Sequence, residues 1–207
     1  MNDIVFSRIF WLLLSKNFQK EIAAKFNLLS AKEIMKSAKV NYYTILRNFQ
    51  SFGKHNPKLV DILLTALVAA IYKAGNGRIS VAQMDTIMTD SMEASYVFGK
   101  SFAKDDHFSK NWQDKRHSQA LVSKKREYPS DFVCDFVYGE TYDEYGINYY
   151  ECAIYKLLKQ EGCPELTSLF CKFDFVMAKH MGATLKRTKT LVAGGDVCDF
   201  WYTKNKL

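Results

Sequence analysis

From Ile4 to about Phe102 the apolar positions recur at helical spacing: Ile22, Phe26 and Leu29, then Ile34, Ala38, Tyr42, Ile45 and Phe49, then Leu59, Ile62, Leu63, Leu67 and Ala70. Residues three and four apart share one face of a helix, so this half of the chain is expected to be helical. The punctuation agrees. Ser30 with Glu33 three residues later reads as a capping box, and Pro57 suits a first helical turn. Gly75-Asn76-Gly77 closes a helix ending near Lys73, and Ser80 opens another that runs toward Phe102. The polar stretch from Lys104 to Glu127, with His107, Trp112, Arg116 and His117, has no period that decides between loop and helix and reads as a hinge.

After Pro129 the period changes to two. Phe132, Cys134, Phe136 and Tyr138 alternate with Val133, Asp135 and Val137, the pattern of a half-buried strand ended by Gly139. A second strand is expected at Arg187 to Ala193 and a third at Val197 to Thr203, joined by a tight hairpin at Gly194-Gly195. Between them the pattern predicts one helix over about Asn148 to Gln160 and another over about Pro164 to Met181, the latter ending at Gly182. The expected fold is therefore α+β, a helical N-terminal half packed on a small C-terminal antiparallel sheet with two helices. Residues 1–128 form the helical region and residues 129–207 the α+β region, together one compact domain.

Composition bounds the function classes. The chain has 207 residues, 48% of them hydrophobic and 25% charged, an ordinary globular balance with only three prolines and no flexible tract. The net charge of +7 is dispersed, with short clusters at Lys124-Lys125-Arg126 and Lys186 to Lys189 that frame no nucleic-acid module. A solvated basic surface and a small anionic or amino-acid-like substrate are expected, not nucleic acid. The apolar run Ile9 to Leu14 is too short to span a bilayer and lacks a cleavage site, so no membrane partner is expected. Five cysteines, an odd number without a repeating framework, point to free thiols in a reducing compartment, the cytoplasm.

Four of those cysteines lie in the last third, among the densest run of reactive side chains in the chain. Cys171 and Asp174, three apart, share a helix face beside the apolar stripe Phe170, Phe173 and Met177, and a carboxylate there needs a partner such as Arg187 or Lys179. Cys152 stands near a helix start, where amide donors lower a thiol pKa. Cys198 and Phe200 share one strand face, and Asp199 and Trp201 the other. Cys152, Cys171 and Cys198, from three elements, are expected to converge on one cavity with Asp174 and Arg187. Cys171, Cys152 and Asp174 are the candidate catalytic groups. Arg187, Thr190, Gly194, Gly195 and Cys198 are the candidate substrate contacts. Each also has a structural reading: a buried cysteine is usually a small hydrophobe, the diglycine a turn, and Asp174 with Arg187 a structural ion pair. Cys134 reads as core and Cys163, between Gly162 and Pro164, as part of a turn.

The ordered set Tyr149-Tyr150-Glu151-Cys152, Cys163-Pro164-Glu165-Leu166, Cys171-x-x-Asp174 and Arg187-Thr188-x-Thr190-Leu191-x-x-Gly194-Gly195-x-x-Cys198-Asp199-Phe200 resembles the L-2-amino-thiazoline-4-carboxylic acid hydrolase family over roughly the last 75 residues. The resemblance implies a bacterial hydrolase that opens a carbon–nitrogen bond of a cyclic amidine-like carboxylate to a carbamoyl cysteine-type product. No cofactor is expected, zinc aside. On the residues, attack falls to a thiolate of Cys171 or Cys152, or to a water activated by Asp174; Arg187 holds the substrate carboxylate, and Thr190 or the Gly194 and Gly195 amides stabilise the developing charge. Two other classes stand beside this one. One is a small-ligand sensor or binding module without turnover. The other is a zinc module on Cys152, Cys163, Cys171 and Cys198, although these lack the close C-x-x-C pairs usual in zinc sites.

Overall fold

The computed structural model describes residues 3–49, 58–95, 98 and 106–206. The N-terminal half consists of the helices α1 (Asp3–Lys25), α2 (Leu28–Asn48), α3 (Leu59–Gly75) and α4 (Val81–Glu93). Next come α5 (Lys110–Ser123), the strands β1 (Val133–Tyr138) and β2 (Glu144–Glu151), and the helices α6 (Ala153–Gln160) and α7 (Thr167–His180). The strands β3 (Ala183–Lys186) and β4 (Cys198–Lys204) complete an α+β fold. Pro57, expected in a first helical turn, lies outside the described residues.

α3 is the central helix. Leu63, Ala66, Leu67, Val68, Ala70 and Ile71 are all at most 1% exposed, and a helix apolar on every side must be enclosed. α2, α1 and α6 all pack against it. Burial of each large apolar side chain contributes roughly 1.5–3 kcal/mol, so α3 anchors both halves of the chain. One continuous core joins Phe18, Ile22, Ile45 and Met84 from the helices to Leu157, Leu166, Phe173 and Phe200 from the C-terminal region.

Local chemistry sets the helix ends. α2 begins earlier than Ser30 because Asn27 is its N-cap, with the Asn27 side chain accepting from the Ser30 amide at 2.8 Å. Ser80 does cap α4, in a reciprocal box with Gln83. That helix ends at Glu93 instead of running toward Phe102, since the amides of Ala94 and Ser95 turn back onto Asp90 and Met92. The segment read as a hinge contains α5, capped by Ser109, whose side chain accepts from the Trp112 amide at 3.3 Å. α5 lies on β1.

The sheet is antiparallel in the order β1-β2-β4-β3. Cys134, Phe136, Tyr145, Ile147, Tyr149, Cys198, Phe200 and Tyr202 point inward by alternation, and the register sets Tyr149 beside both Cys134 and Cys198. β2 occupies residues that the helical reading began at Asn148. Tyr145, Ile147 and Tyr149 alternate with Gly146, Asn148 and Tyr150, and the helix starts only at Ala153.

Gly146 belongs to the strand because Trp201 lies over it; a Cβ there would stand 2.8 Å from the indole. The strand expected at Arg187 to Ala193 is absent. β3 instead precedes Arg187, and Leu191 to Ala193 forms a 3-10 turn in which the Thr190 hydroxyl accepts from the Ala193 amide at 3.2 Å. Gly194 closes that turn at φ +85° and is not the corner of a two-residue hairpin. Gly182, at φ +69°, ends α7 as expected. Among the described residues no helix is long and apolar enough to cross a membrane.

Candidate active site

The candidate residues meet where α7, β4 and the loop after β3 come together. Arg187 leaves β3 and its side chain is 7% exposed; it donates to the Asp174 carboxylate at 2.7 Å and to the Cys171 carbonyl oxygen at 2.6 Å. Its guanidinium packs between Phe175 and Phe200, 5.1 and 4.9 Å from the ring centres. Of the two partners proposed for Asp174 the structure selects Arg187. Both of those donors are engaged inside the protein, which makes Arg187 the holder of Asp174 and of the α7 backbone.

Asp174 is 27% exposed, yet burial pushes its carboxyl up to about 7, against the opposing pull of Arg187. A carboxyl that titrates near neutrality is suited to general acid–base work.

Cys152 is the N-cap of α6, and its sulfur accepts from the Tyr155 amide at 3.5 Å, as its position promised. The expected lowering of its pKa does not follow. Burial pushes the thiol up to about 12, the amide contact opposes this only weakly, and nearby Cys198 and Cys171 add to the rise. Cys171 is raised to about 11, first by burial and then by Asp174. Cys198 is also raised, chiefly by burial, and its sulfur accepts from the Leu191 amide at 3.2 Å.

Cys152 and Cys171 each feel the charge of Cys198, and burial holds all three groups as thiols. Iodoacetamide at pH 7.5 is expected to alkylate the native protein many times more slowly than the same protein in urea. Mass spectrometry after timed quenching would show it; rapid loss of one native thiol would mark a nucleophile and overturn this reading.

Arg187, Thr190, Gly194 and Gly195 line one open surface depression with Phe175, Thr188, Lys189 and Asp196. Four of the five candidate substrate contacts are therefore brought together, and Cys198 lies behind them through Leu191. Asp199 shapes this loop by accepting from the amides of Thr188 and Lys189 and from the Thr188 hydroxyl. Asp199, a β4 residue expected to stabilise a hairpin, stands beside two successive amides of this loop, which explains why the loop is not a strand. Gly195 donates to the Thr190 carbonyl oxygen and Gly194 to that of Leu191, so these amides hold the loop rather than an anion.

The remaining candidates are structural in their surroundings. Cys163 is 2% exposed beneath α6, its amide donating to the Leu158 carbonyl oxygen. Glu151 is paired with Arg126 and Lys156. His180 lies 4.0 Å from Glu93, and His117 stands against Tyr138, so neither faces Cys171. Among the described residues no three His, Cys, Asp or Glu side chains are grouped to hold a metal ion, which leaves the four-cysteine zinc arrangement without a cluster.

A second space was not anticipated. A cavity of about 560 Å³ lies between α5 and the inner face of the sheet, walled by Trp112, Phe136, Tyr145, Tyr149 and Tyr202, with Lys58 and Arg116 among its charged groups. Met177 and Met181 close its end at α7, and Asp174 sits one helical turn before Met177. Arg187 lines the outer depression and not this cavity, and Asp174 lines neither. Tyr145 and Tyr149 of β2 and Tyr202 of β4 bring three large rings with polar tips to one sheet face, a placement that only the pairing of the two strands reveals.

Against family models, residues 62–202 match the model described as L-2-amino-thiazoline-4-carboxylic acid hydrolase. Neither the curated proteins nor the solved structures give a match.

Proposed function

Because the chain belongs to the L-2-amino-thiazoline-4-carboxylic acid hydrolase family, we propose that it hydrolyses a small cyclic amidine-like carboxylate at the site built around Asp174 and Arg187. The observation that carries this reading is the placement of Asp174, a partly buried carboxylate fixed by Arg187, which itself lines the depression and holds the Cys171 carbonyl oxygen. All the candidate residues fall within the matched span.

Of the two routes open in the sequence, burial of the thiols favours water over thiolate attack. Burial holds Cys171 and Cys152 as thiols, while Asp174 ionises near neutrality. Asp174 takes a proton from water as the oxygen bonds to the amidine carbon, giving a tetrahedral adduct. The same proton then passes to the leaving atom as the ring bond breaks, the hydroxyl proton of the adduct passes to the ring nitrogen as the carbonyl forms, and Asp174 is regenerated. Expulsion of the ring nitrogen leaves an S-carbamoyl cysteine-type product; expulsion of the ring sulfur leaves an N-carbamoyl product with a free thiol. Arg187 positions Asp174, and the loop with Thr190, Gly194 and Gly195 shapes the depression that receives the substrate carboxylate. Cys198 supports that loop from beneath.

The test is incubation of the purified protein with L-2-amino-thiazoline-4-carboxylate, with product detection by mass spectrometry and thiol titration. Growth of a carbamoyl cysteine product supports the reading, and the thiol titre tells which ring bond breaks. Ligand-stabilised melting with no product would replace it by the binding module.

A further inference from the structure

The inner cavity has the features of a ligand site that hydrolysis at Asp174 does not use. Its volume of about 560 Å³ lies within the range of roughly 300–1,000 Å³ typical of sites for drug-sized molecules. A single five-membered ring acid would fill a small part of it.

Three observations bear on the occupant. The wall is aromatic: Tyr145 stacks between Phe136 and Tyr202, with ring centres 5.5 and 5.1 Å apart, and Trp112 faces Tyr145 at 5.2 Å. Such a wall takes a flat ring system by offset or edge-to-face contact. Tyr145 is also fully buried, and its hydroxyl has no hydrogen-bond partner. A buried polar atom left in this way is uncommon and asks for one. Arg116 supplies the third feature. Its guanidinium lies 4.8 Å from the Trp112 ring, gives one donor to Gln119 at 3.1 Å, and has no carboxylate partner among the described residues.

The charge balance narrows the anion. Lys58 at this wall is already paired with Asp61, Arg126 with Glu151, and the carboxylates of Glu127 and Asp131 share the lining. With Lys115 also in the lining, two cations stand beside the two carboxylates, and this even balance suits a singly charged planar carboxylate, which Arg116 can bind through two parallel N–H donors, better than a multiply charged phosphate.

We propose that the cavity between α5 and the sheet binds a flat two-ring carboxylate, with Arg116 holding the carboxylate and the Tyr145 hydroxyl meeting a polar atom of the ring system. Binding of this kind needs no turnover and stands or falls apart from the hydrolase reading.

Indole-3-carboxylate and its carboxamide are the probes, titrated by calorimetry into wild type, Arg116→Gln and Tyr145→Phe, each first checked by circular dichroism and melting. Wild type is expected to bind the acid at one site, at least about tenfold more tightly than the amide, because only the acid makes the charged bidentate pair. Arg116→Gln is expected to bring the acid down to the amide's affinity and leave the amide unchanged; Tyr145→Phe weakens both. The proposal is overturned if wild type binds neither probe up to about 1 mM. It is equally overturned if wild type binds acid and amide alike, a comparison that stands even where a variant does not fold. Turnover of the thiazoline acid in Arg116→Gln, measured alongside, separates loss of this site from loss of the hydrolase.

Discussion

Arg187→Met is expected to destabilise the protein by roughly 3–5 kcal/mol at pH 8, the cost of leaving one member of a buried pair behind. The arginine is 7% exposed and joins the Asp174 side chain to the Cys171 carbonyl oxygen. Methionine can refill much of the space between Phe175 and Phe200, so the loss is chiefly electrostatic. The penalty should shrink at pH 5. The folded-state pKa of Asp174 is raised from 3.8 to about 7 by burial, so the folded protein binds this proton more tightly than the unfolded chain. Stability from this group is present below about pH 4 and is lost as the pH rises toward 7. Without Arg187 the carboxyl rises further, and the loss continues to higher pH. Urea unfolding of both proteins at pH 5 and pH 8 measures the difference. Equal losses at the two pH values, or a loss below about 1 kcal/mol, would show a solvated pair with little hold on the fold.

The parts of this molecule that were legible in the sequence are those where a single local period decides the outcome. The helical half, β1, β4, α7 and its stop at Gly182 all follow from hydrophobic spacing and a terminating glycine. Errors came where a distant group overrides local preference. Thr188, Thr190 and Val192 favour a strand by type, but the Asp199 carboxylate takes the amides of Thr188 and Lys189 that a strand would have offered to a neighbour. β2 was hidden for a different reason. Its inward residues Tyr145, Ile147 and Tyr149 run directly into the apolar face of α6, and only the cap at Cys152 marks the change.

The candidate site shows the same division. The Asp174–Arg187 pair and the convergence of Cys152, Cys171 and Cys198 could be argued from helix faces and strand alternation. The protonation of the thiols could not, because helix position favours a thiolate while burial by α3, α7 and the sheet opposes it, and the second effect is larger here. The cavity was out of reach as well. It depends on α5 lying over the inner sheet face, and the sequence of α5 has no clear period: Gln113 and Ala120 are buried, with Trp112 and Arg116 partly so.

Asp174→Asn is expected to lower kcat for the thiazoline acid by about 10²–10⁴-fold, the usual worth of a positioned general acid–base group. Asparagine keeps the shape and still accepts from Arg187, but it cannot take the proton from water. The wild-type kcat/KM should rise with pH and level off above about 7, where Asp174 is ionised, and this limb should be missing from any residual activity of the variant. Cys171→Ser is the control that separates the two routes. With water as nucleophile the serine variant keeps most of the activity, because the Cys171 contact to Arg187 is made by the backbone oxygen. With a thiolate nucleophile the ranking reverses: Cys171→Ser becomes inactive and its wild-type parent shows a limb near the thiol pKa of about 11. Melting curves of both variants guard against a folding artefact, since Asp174→Asn also leaves the Arg187 charge without its counter-ion. Full activity in Asp174→Asn would remove Asp174 from the chemistry and return the pair to a purely structural role.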